Sequence, residues 1–306
     1  MARYLLVLIL MAAGVAPIRA QEEGPVRTQV LVTVISKSSA VPKASDVSAT
    51  VNGHKTQVEG LAPVPAKGAQ VAILIDDGLR VSVSRELSTL QDFVRGLRPG
   101  TEIFIGYMQN GRVIPAQEFT TDYAAAARAL RMPLGMPGSS ASPYFCLSDF
   151  VKKWPRGAGG STAPRARFVL MITNGVDPYN GSTSITNQNS PYVQAAIRDA
   201  QRAGVSVSSI YYGNAGFRGH RGSFSGQSYL SQVSQATGGT AYFQGLGNPV
   251  SMEPFLNQFT KAISETYIAS FAAPSGKDLV QLKLSTTLPR TKLQAPAEVR
   301  PGTRIE

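Results

Sequence analysis

The chain has one cysteine, two histidines and one tryptophan among its 306 residues. A single cysteine, Cys146, excludes an intramolecular disulfide, so stability must come from a packed core. Its neighbours Tyr144, Phe145, Leu147 and Phe150 make it packing rather than a reactive thiol. The histidines, His54 beside a turn and His220 in a glycine-rich stretch, offer no recognisable Ser/His/Asp context, which needs a histidine held by an acid and aimed at a nucleophile. There is no P-loop, no Cys/His metal cluster and no dinucleotide fingerprint. Acids are scarce as well: 19 Asp and Glu against 30 Lys and Arg, a net charge of +11. That balance favours anionic partners such as acidic lipid, acidic glycan or nucleic acid. The basic residues are scattered along the sequence, which equally suits a basic soluble surface.

Long apolar runs are missing except at the start. Arg3 opens a positive segment, Tyr4 to Val15 is apolar, and Ile18-Arg19-Ala20 ends in a small residue. Residues 1–20 therefore read as a signal peptide, the run being short of the about 20 residues a membrane span needs. The other reading is an uncleaved N-terminal anchor. Removing Arg3 and Arg19 takes two charges from +11 and leaves +9. Cleavage predicts an exported protein, periplasmic or secreted, with no transmembrane span; export makes nucleic acid the least suitable partner.

Residues 21–62 carry β signals. Val26 to Ser36 alternates, and Asn52-Gly53 between Val47–Val51 and Lys55–Val58 predicts a tight hairpin. Leu61 to Gly68 (LAPVPAKG) reads as a linker. From Ala69 the rhythm changes. Val71 to Ile75 is a short apolar run of the kind buried on both faces, ending at Asp76-Asp77-Gly78. A helix over Val83–Leu97, strands at Glu102–Met108 and Arg112–Ala116 around an Asn110-Gly111 turn, and a capped helix Tyr123–Leu130 follow. A Gly/Pro/Ser loop at Pro133–Pro143 leads to a helix over Tyr144–Lys153, and Arg167 to Thr173 is a second buried strand. Tyr192–Ala203 reads as a helix, Val205–Tyr212 as a strand, and Gly213–Gln227 as a long glycine loop. Tyr229–Ala236 and Met252–Ser264 read as helices around a short strand at Thr240–Phe243, and Tyr267–Ala272 and Leu279–Ser285 as closing strands.

The alternation predicts an α/β class fold: a doubly wound, mostly parallel sheet with one antiparallel edge hairpin, over residues 69–265. The flanking segments 21–62 and 266–306 are each too small to stand alone. They are expected to pair into one small β-sandwich with the α/β domain inserted between them.

A buried strand ending in acids, a Gly/Ser loop before a helix, and a later strand ending in Thr173-Asn174-Gly175 resemble the von Willebrand factor type A (VWA) domain. The segment YLSQVSQATGGTAYF and the N-terminal Val30-Leu31-Val32-Thr33-Val34 are similar to the version in exported proteins of Acidobacteria and their relatives. The resemblance implies a Rossmann-like domain that binds ligands through a metal-ion-dependent adhesion site. In that family Asp-x-Ser-x-Ser, a Thr and a later Asp hold Mg²⁺, a hard cation suited to oxygen ligands.

Carried over position by position, that site is degenerate here. Asp76 matches the first acid, Gly78 and Arg80 stand at the two serines, Ser140 at the threonine and Asn174 at the final acid. Arg80 beside a divalent ion at roughly 4 Å would cost about 8 kcal/mol at an effective dielectric near 20. The expectation is that Arg80 pairs with Asp76 in place of a metal; the plain reading is that Arg80 points to solvent. Asp77 or Asp177 is the candidate substitute acid if Mg²⁺ binding survives.

Around Phe217 to Gly222, Arg218, His220 and Arg221 alternate with glycine, fitting either a flexible surface loop or an anion- or partner-contacting one. Asn180-Gly181-Ser182 is formally a glycosylation acceptor and reads as a turn. The function expected is a protein-binding, adhesion or assembly module with no catalytic residues, no cofactor and an unknown, anionic protein partner. Alternatives are a Mg²⁺-dependent VWA adhesion domain with a substitute acidic ligand, and a hydrolase.

Overall fold

The apolar run at Val71–Ile75 folds as the centre of a sheet. A computed structural model describes residues 24–37, 41–136, 138–180, 189–213, 219–245 and 247–305, with the backbone alone at 219–223. The signal segment, Arg218, and Gly181-Ser182 of the acceptor triplet lie outside the described residues, as do the side chains of His220 and Arg221.

In chain order the elements begin with β1 (Val26–Ser36), β2 (Val47–Val51) and β3 (His54–Pro63). The α/β part follows: β4 (Ala69–Asp76), α1 (Leu87–Arg95), β5 (Glu102–Gln109), β6 (Arg112–Thr120), α2 (Tyr123–Ala129), α3 (Pro143–Lys152), β7 (Ala166–Thr173), α4 (Pro191–Arg202), β8 (Val205–Tyr211), α5 (Gly219–Thr237), β9 (Ala241–Tyr242) and α6 (Glu253–Ser264). The chain closes with β10 (Thr266–Ala273), β11 (Val280–Thr286), β12 (Thr291–Gln294) and β13 (Glu298–Val299).

The first sheet has the order β6-β5-β4-β7-β8-β9, parallel throughout except for β6. Every residue of β4 is buried because helices cover both faces, as parallel sheets require. Ile73 and Ile75 face Leu90 of α1, Ala126 of α2 and Phe259 of α6 in one cluster. Ala72 and Leu74 face Leu147, Ala196 and Val233 of α3, α4 and α5 in another. Local chemistry sets the joints. Asn110 and Gly111 both take positive φ, the turn that suits a right-twisted hairpin. Asp122 accepts from the Ala125 amide to start α2, and Ser142 accepts from that of Tyr144 to start α3.

The second sheet joins both ends of the chain in the order β12-β1-β10-β3-β2-β11-β13. Strand β1 pairs antiparallel with β10 from Val26↔Ala273 to Thr33↔Thr266. The expected two-layer sandwich is instead one curled sheet. Four residues, 287–290, join β11 to β12, a reach of at most about 18 Å. In a flat sheet those strands would sit five spacings apart, roughly 24 Å. Curling places Val30, Val32, Val51, Phe271 and Leu282 in one shared core. On the other face of β1, Leu31 joins Ile268, Phe168 and Phe259 in the core of the α/β part.

Two boundaries differ from expectation for physical reasons. The supposed linker is strand as far as Pro63, because β10 pairs with Leu61, Ala62 and Pro63. The supposed glycine loop is helical from Gly219, as the first turns of α5. Gly226 serves close approach rather than looseness: a Cβ there would collide with the Asn174 carbonyl oxygen at the end of β7. Among the described residues no helix is long and apolar enough to cross a membrane.

Leu31 is 6% exposed and ties the curled sheet to the α/β core. Leu31→Ala should lower stability by about 2–5 kcal/mol, with both sheets still melting in one urea transition. Two separate transitions in the wild type would show that the sheets fold independently.

Candidate functional site

Strand β4 is the switch point of the first sheet. The chain winds from it to β5 and β6 on one side and to β7, β8 and β9 on the other. A crevice opens where the winding direction reverses, at the C-terminal ends of β4 and β7. Asp76 lies there at the end of β4, with Thr173 at the end of β7.

Asp76 is 3% exposed and its two oxygens are already engaged. Oδ1 accepts from the Gly78 amide at 2.9 Å. Oδ2 accepts from Thr173 Oγ1 at 2.7 Å and from Ser140 Oγ at 3.3 Å. Ser140 is held in place from the hairpin side, where the Gly111 amide donates to its carbonyl oxygen at 2.9 Å and the Asn110 amide to that of Ser139 at 2.7 Å. Burial pushes the Asp76 carboxyl above its ordinary value of 3.8; the three hydrogen bonds oppose that rise without cancelling it, and the neighbouring charge of Asp77 adds to it.

The cation of the site is Arg131, and its partner is Asp77. Its guanidinium grips the carboxylate with two parallel bonds of 2.8 Å, Nη1 to Oδ1 and Nη2 to Oδ2. The Leu134 amide adds a bond of 2.9 Å to Oδ1, and Gln109 Nε2 donates to Oδ2. Arg131 lies 3.7 Å over the ring centroid of Tyr107. The Tyr107 hydroxyl bonds to the Arg131 backbone on both sides, to its carbonyl at 2.7 Å and from its amide at 2.6 Å. Burial raises the Asp77 carboxyl, but the bonds from Arg131, Leu134 and Gln109, with the charge of Arg131, outweigh it and hold the group below its ordinary value.

The expected Arg80–Asp76 pair is therefore a correction. Arg80 is exposed and begins a short 3-10 helix at Val81–Glu86, past the turn that brings the Gly78 amide back to Asp76. Gly78 has a steric role: a Cβ there would sit 3.0 Å from the Met136 carbonyl oxygen and 3.2 Å from the Gly138 amide, so its lack of a side chain lets that loop close over the strand end. Asn174 turns its Oδ1 onto the Val176 amide at 2.9 Å. Asp177 accepts from Ser190 Oγ at 2.7 Å, and Ser190 caps α4. The structure thus gathers Asp76, Gly78 and Ser140, leaves Arg80 outside, and employs Asn174 and Asp177 in their own loop. Sequence reasoning missed Arg131, which lies 54 residues from Asp77 and in no motif. Cys146 is buried, its thiol pushed far up by burial, and donates to the Ser140 carbonyl at 3.4 Å.

As a donor set for a hard divalent ion these residues fit poorly. Octahedral oxygen coordination needs free carboxylate lone pairs and hydroxyls. Here Gly78 supplies no side-chain oxygen, Arg80 is a cation outside the crevice and Asn174 Oδ1 is taken by the Val176 amide, so of the five positions only Asp76 and Ser140 present oxygens there. Among the described residues no group of three or more His, Cys, Asp or Glu is placed to hold an ion.

No protein-family model matches the chain, and no curated protein matches it in sequence. Solved structures of loosely similar layout include an aerotolerance-related membrane protein from Bacteroides fragilis NCTC 9343, at 12% identity over 64% of this chain and 98% of that one, TM-score 0.41. The SpRpn10 VWA domain is similar at 12% identity over 62% and 94% of the two chains, TM-score 0.38. The pilus adhesin SpaC from Lactobacillus rhamnosus GG is similar at 9% identity over 88% of this chain, TM-score 0.44; the chain spans about half of that adhesin, 47%. At these identities and scores the likenesses carry no argument about family or function.

Arg80→Ala should change stability by less than about 0.5 kcal/mol, whereas Arg131→Ala should cost about 2–4 kcal/mol by stranding the buried Asp77 carboxylate. Because the folded pKa of Asp77 is depressed, its contribution is complete above the ordinary carboxyl value and is lost as pH falls through the folded value. The Arg131→Ala deficit should therefore shrink in acid. Asp76 has the opposite sign: its raised pKa favours the folded state at low pH, a contribution lost as pH rises through the folded value. Asp76→Asn should gain on wild type as pH rises. Urea titrations across this range check both; an Arg131→Ala deficit independent of pH would contradict the assignment.

Proposed function

We infer that this chain is an exported protein-binding or assembly module whose VWA-like crest recognises its partner without a metal and without catalysis. The observation that carries this reading is what the clamp on Asp77 presents. The Asp77 carboxylate bonds the Leu134 amide, and its backbone oxygen accepts from Gly135 at 3.1 Å. So anchored, the loop after α2 holds Met132, Leu134 and Met136 at 47%, 57% and 63% exposure, beside Val81 at 58%. Large apolar side chains grouped at the ligand edge of a sheet mark an interaction surface, and methionine adapts well to a partner's contours.

The closed surroundings of Asp76 support a non-catalytic role. The carboxylate with the raised pKa is enclosed by Thr173, Ser140 and the Gly78 amide, so no substrate group reaches it. Export is supported by the N-terminal segment of the sequence and by the resemblance to exported VWA proteins of Acidobacteria.

The test is affinity capture of the mature protein's partners from the cell envelope, comparing wild type with Leu134→Asp/Met136→Asp in magnesium and in chelator. The expected result is the same partners in both media with wild type, and their loss with the crest variant at an unchanged melting temperature. Capture that vanishes in chelator would favour the Mg²⁺-dependent reading. A melting temperature raised several degrees by magnesium would do so too, since ion at a hundred times its Kd adds about 2.7 kcal/mol. Capture untouched by the crest substitutions would place recognition elsewhere.

A further inference from the structure

At the pole opposite the crest, beneath the N-terminal ends of β7 and β8, lies a cavity of about 870 Å³. That is within the range of roughly 300–1,000 Å³ in which pockets enclose most of a small ligand. Here the basic residues that looked scattered in sequence come together. Arg165 and Arg167 come from the start of β7. Lys152, Lys153 and Arg202 come from the ends of α3 and α4, and Arg300 and Arg304 from the C-terminal tail. The tail is pinned to β1, with the Gln29 amide donating to the Thr303 carbonyl at 2.9 Å and the Gly302 amide to Thr28 Oγ1 at 3.0 Å. Its arginines are therefore fixed at the rim.

The ordinary explanation of such residues is local compensation, and it accounts for only some of them. Lys152 and Arg202 pair with Asp199 at 3.5 and 3.7 Å, Lys153 with Asp149 at 2.6 Å, and Arg165 with Glu102 at 3.3 Å. Among the described residues seven cations thus face three carboxylates, an excess of four. Counting the C-termini of α3 and α4 at about half a negative charge each still leaves roughly three. Among the described residues Arg167, Arg300 and Arg304 have no acidic partner. Arg167 is held 5.1 Å over the Trp154 ring and donates to the Ala203 carbonyl at 3.3 Å. Burial lowers its pKa, as expected of a cation drawn partly out of water without a counter-charge. The buried Nε of Arg165 has no hydrogen-bond partner. A site holding excess positive charge, partly desolvated at Arg167, is stabilised by an anion.

We propose that this cleft is a second binding site, separate from the crest, and that it takes an acidic peptide segment of a protein partner. Arginine supplies five of the seven cations, and its planar fork matches carboxylates in pairs. Between the charges the lining is largely apolar or bare backbone, at Pro164, Ala203, Gly204, Pro301 and Ile305, with the hydroxyl of Thr303 among them. Such walls suit the methylenes and main chain of a Glu- or Asp-rich strand, parts that a bare phosphate chain lacks. Stacking of bases or sugar rings would need an open aromatic face. The ring of Trp154 instead packs against Phe119 and Phe150, with Arg167 over it and Nε1 bonded to Gln70 at 2.8 Å. The concave shape also excludes a flat bilayer.

Trp154 is the chain's only tryptophan, so its emission reports on this cleft. The test is a titration of the full mature protein with fluorescently labelled hexaglutamate, followed by peptide anisotropy and by Trp154 emission at an excitation that spares the label. Saturable binding that alters Trp154 emission is expected. Arg300→Glu/Arg304→Glu, both at exposed positions, should weaken it about tenfold or more, and Arg304→Gln alone by less. The distant pair Arg112→Glu/Arg128→Glu carries the same change in net charge and should cost less than about twofold. Equal losses in the two charge-reversed proteins would reduce the effect to overall charge and overturn the site. So would absence of saturable binding, or binding that leaves Trp154 silent and ignores Arg300 and Arg304. Tighter binding of tripolyphosphate or of oligogalacturonate would overturn the peptide assignment in favour of phosphate or glycan. None of these outcomes involves the crest, so the site stands or falls apart from the reading given above.

Discussion

The fork from Arg131 to Asp77 is the contact on which the upper pole of the molecule depends. Two acids end the central strand, and a fully buried carboxylate is costly unless it is paired and hydrogen-bonded. The chain solves the two cases differently. Asp76 is satisfied by hydroxyls and an amide, with its pKa raised, while Asp77 receives a guanidinium, an amide and a carboxamide and has its pKa lowered. Two like charges side by side are tolerable because their environments push the two groups apart. The same fork fixes the backbone after α2, so an electrostatic requirement at the end of β4 becomes the shape of the crest.

Much of the fold was legible because local chemistry was unambiguous. The all-apolar Val71–Ile75 and Phe168–Ile172 runs can only be central strands. Asn52-Gly53 and Asn110-Gly111 dictate hairpins through their positive φ, and either Thr121 or Asp122 announces a helix start, the structure using Asp122. What was not legible depended on distant partners. Leu61–Pro63 becomes strand only because β10 lies beside it. The glycines of α5 look like loop punctuation until the helix is seen pressed on the end of β7. For the candidate site, Asp76, Gly78 and Ser140 lie together at one crevice, while Arg80, expected to pair with Asp76, is exposed, and the cation present is Arg131 on the neighbouring Asp77. Charge identity is readable in a sequence; which acid a given arginine reaches across 54 residues is a property of the assembled sheet.

The molecule then has two chemically distinct poles. At the C-terminal end of β4, Asp76 and Asp77 are satisfied internally, and Val81, Met132, Leu134 and Met136 are exposed nearby. At the N-terminal ends, cations outnumber acids and the surface offered is a positive cleft. The sheet formed by β1 and β10 ties the chain's two ends over one flank of the α/β part, and its C-terminal tail supplies the rim of that cleft. The proposed crest and the proposed cleft thus lie at opposite ends of one parallel sheet.

The central claim is that Arg131 and Asp77 act as one unit at the crest. A double-mutant cycle of Arg131→Ala, Asp77→Ala and the combined protein, read by urea unfolding at neutral pH, measures their coupling free of other contributions. A coupling of at least about 1.5 kcal/mol, with the double variant little worse than either single one, is the predicted result. Additive losses with a coupling near zero would contradict it.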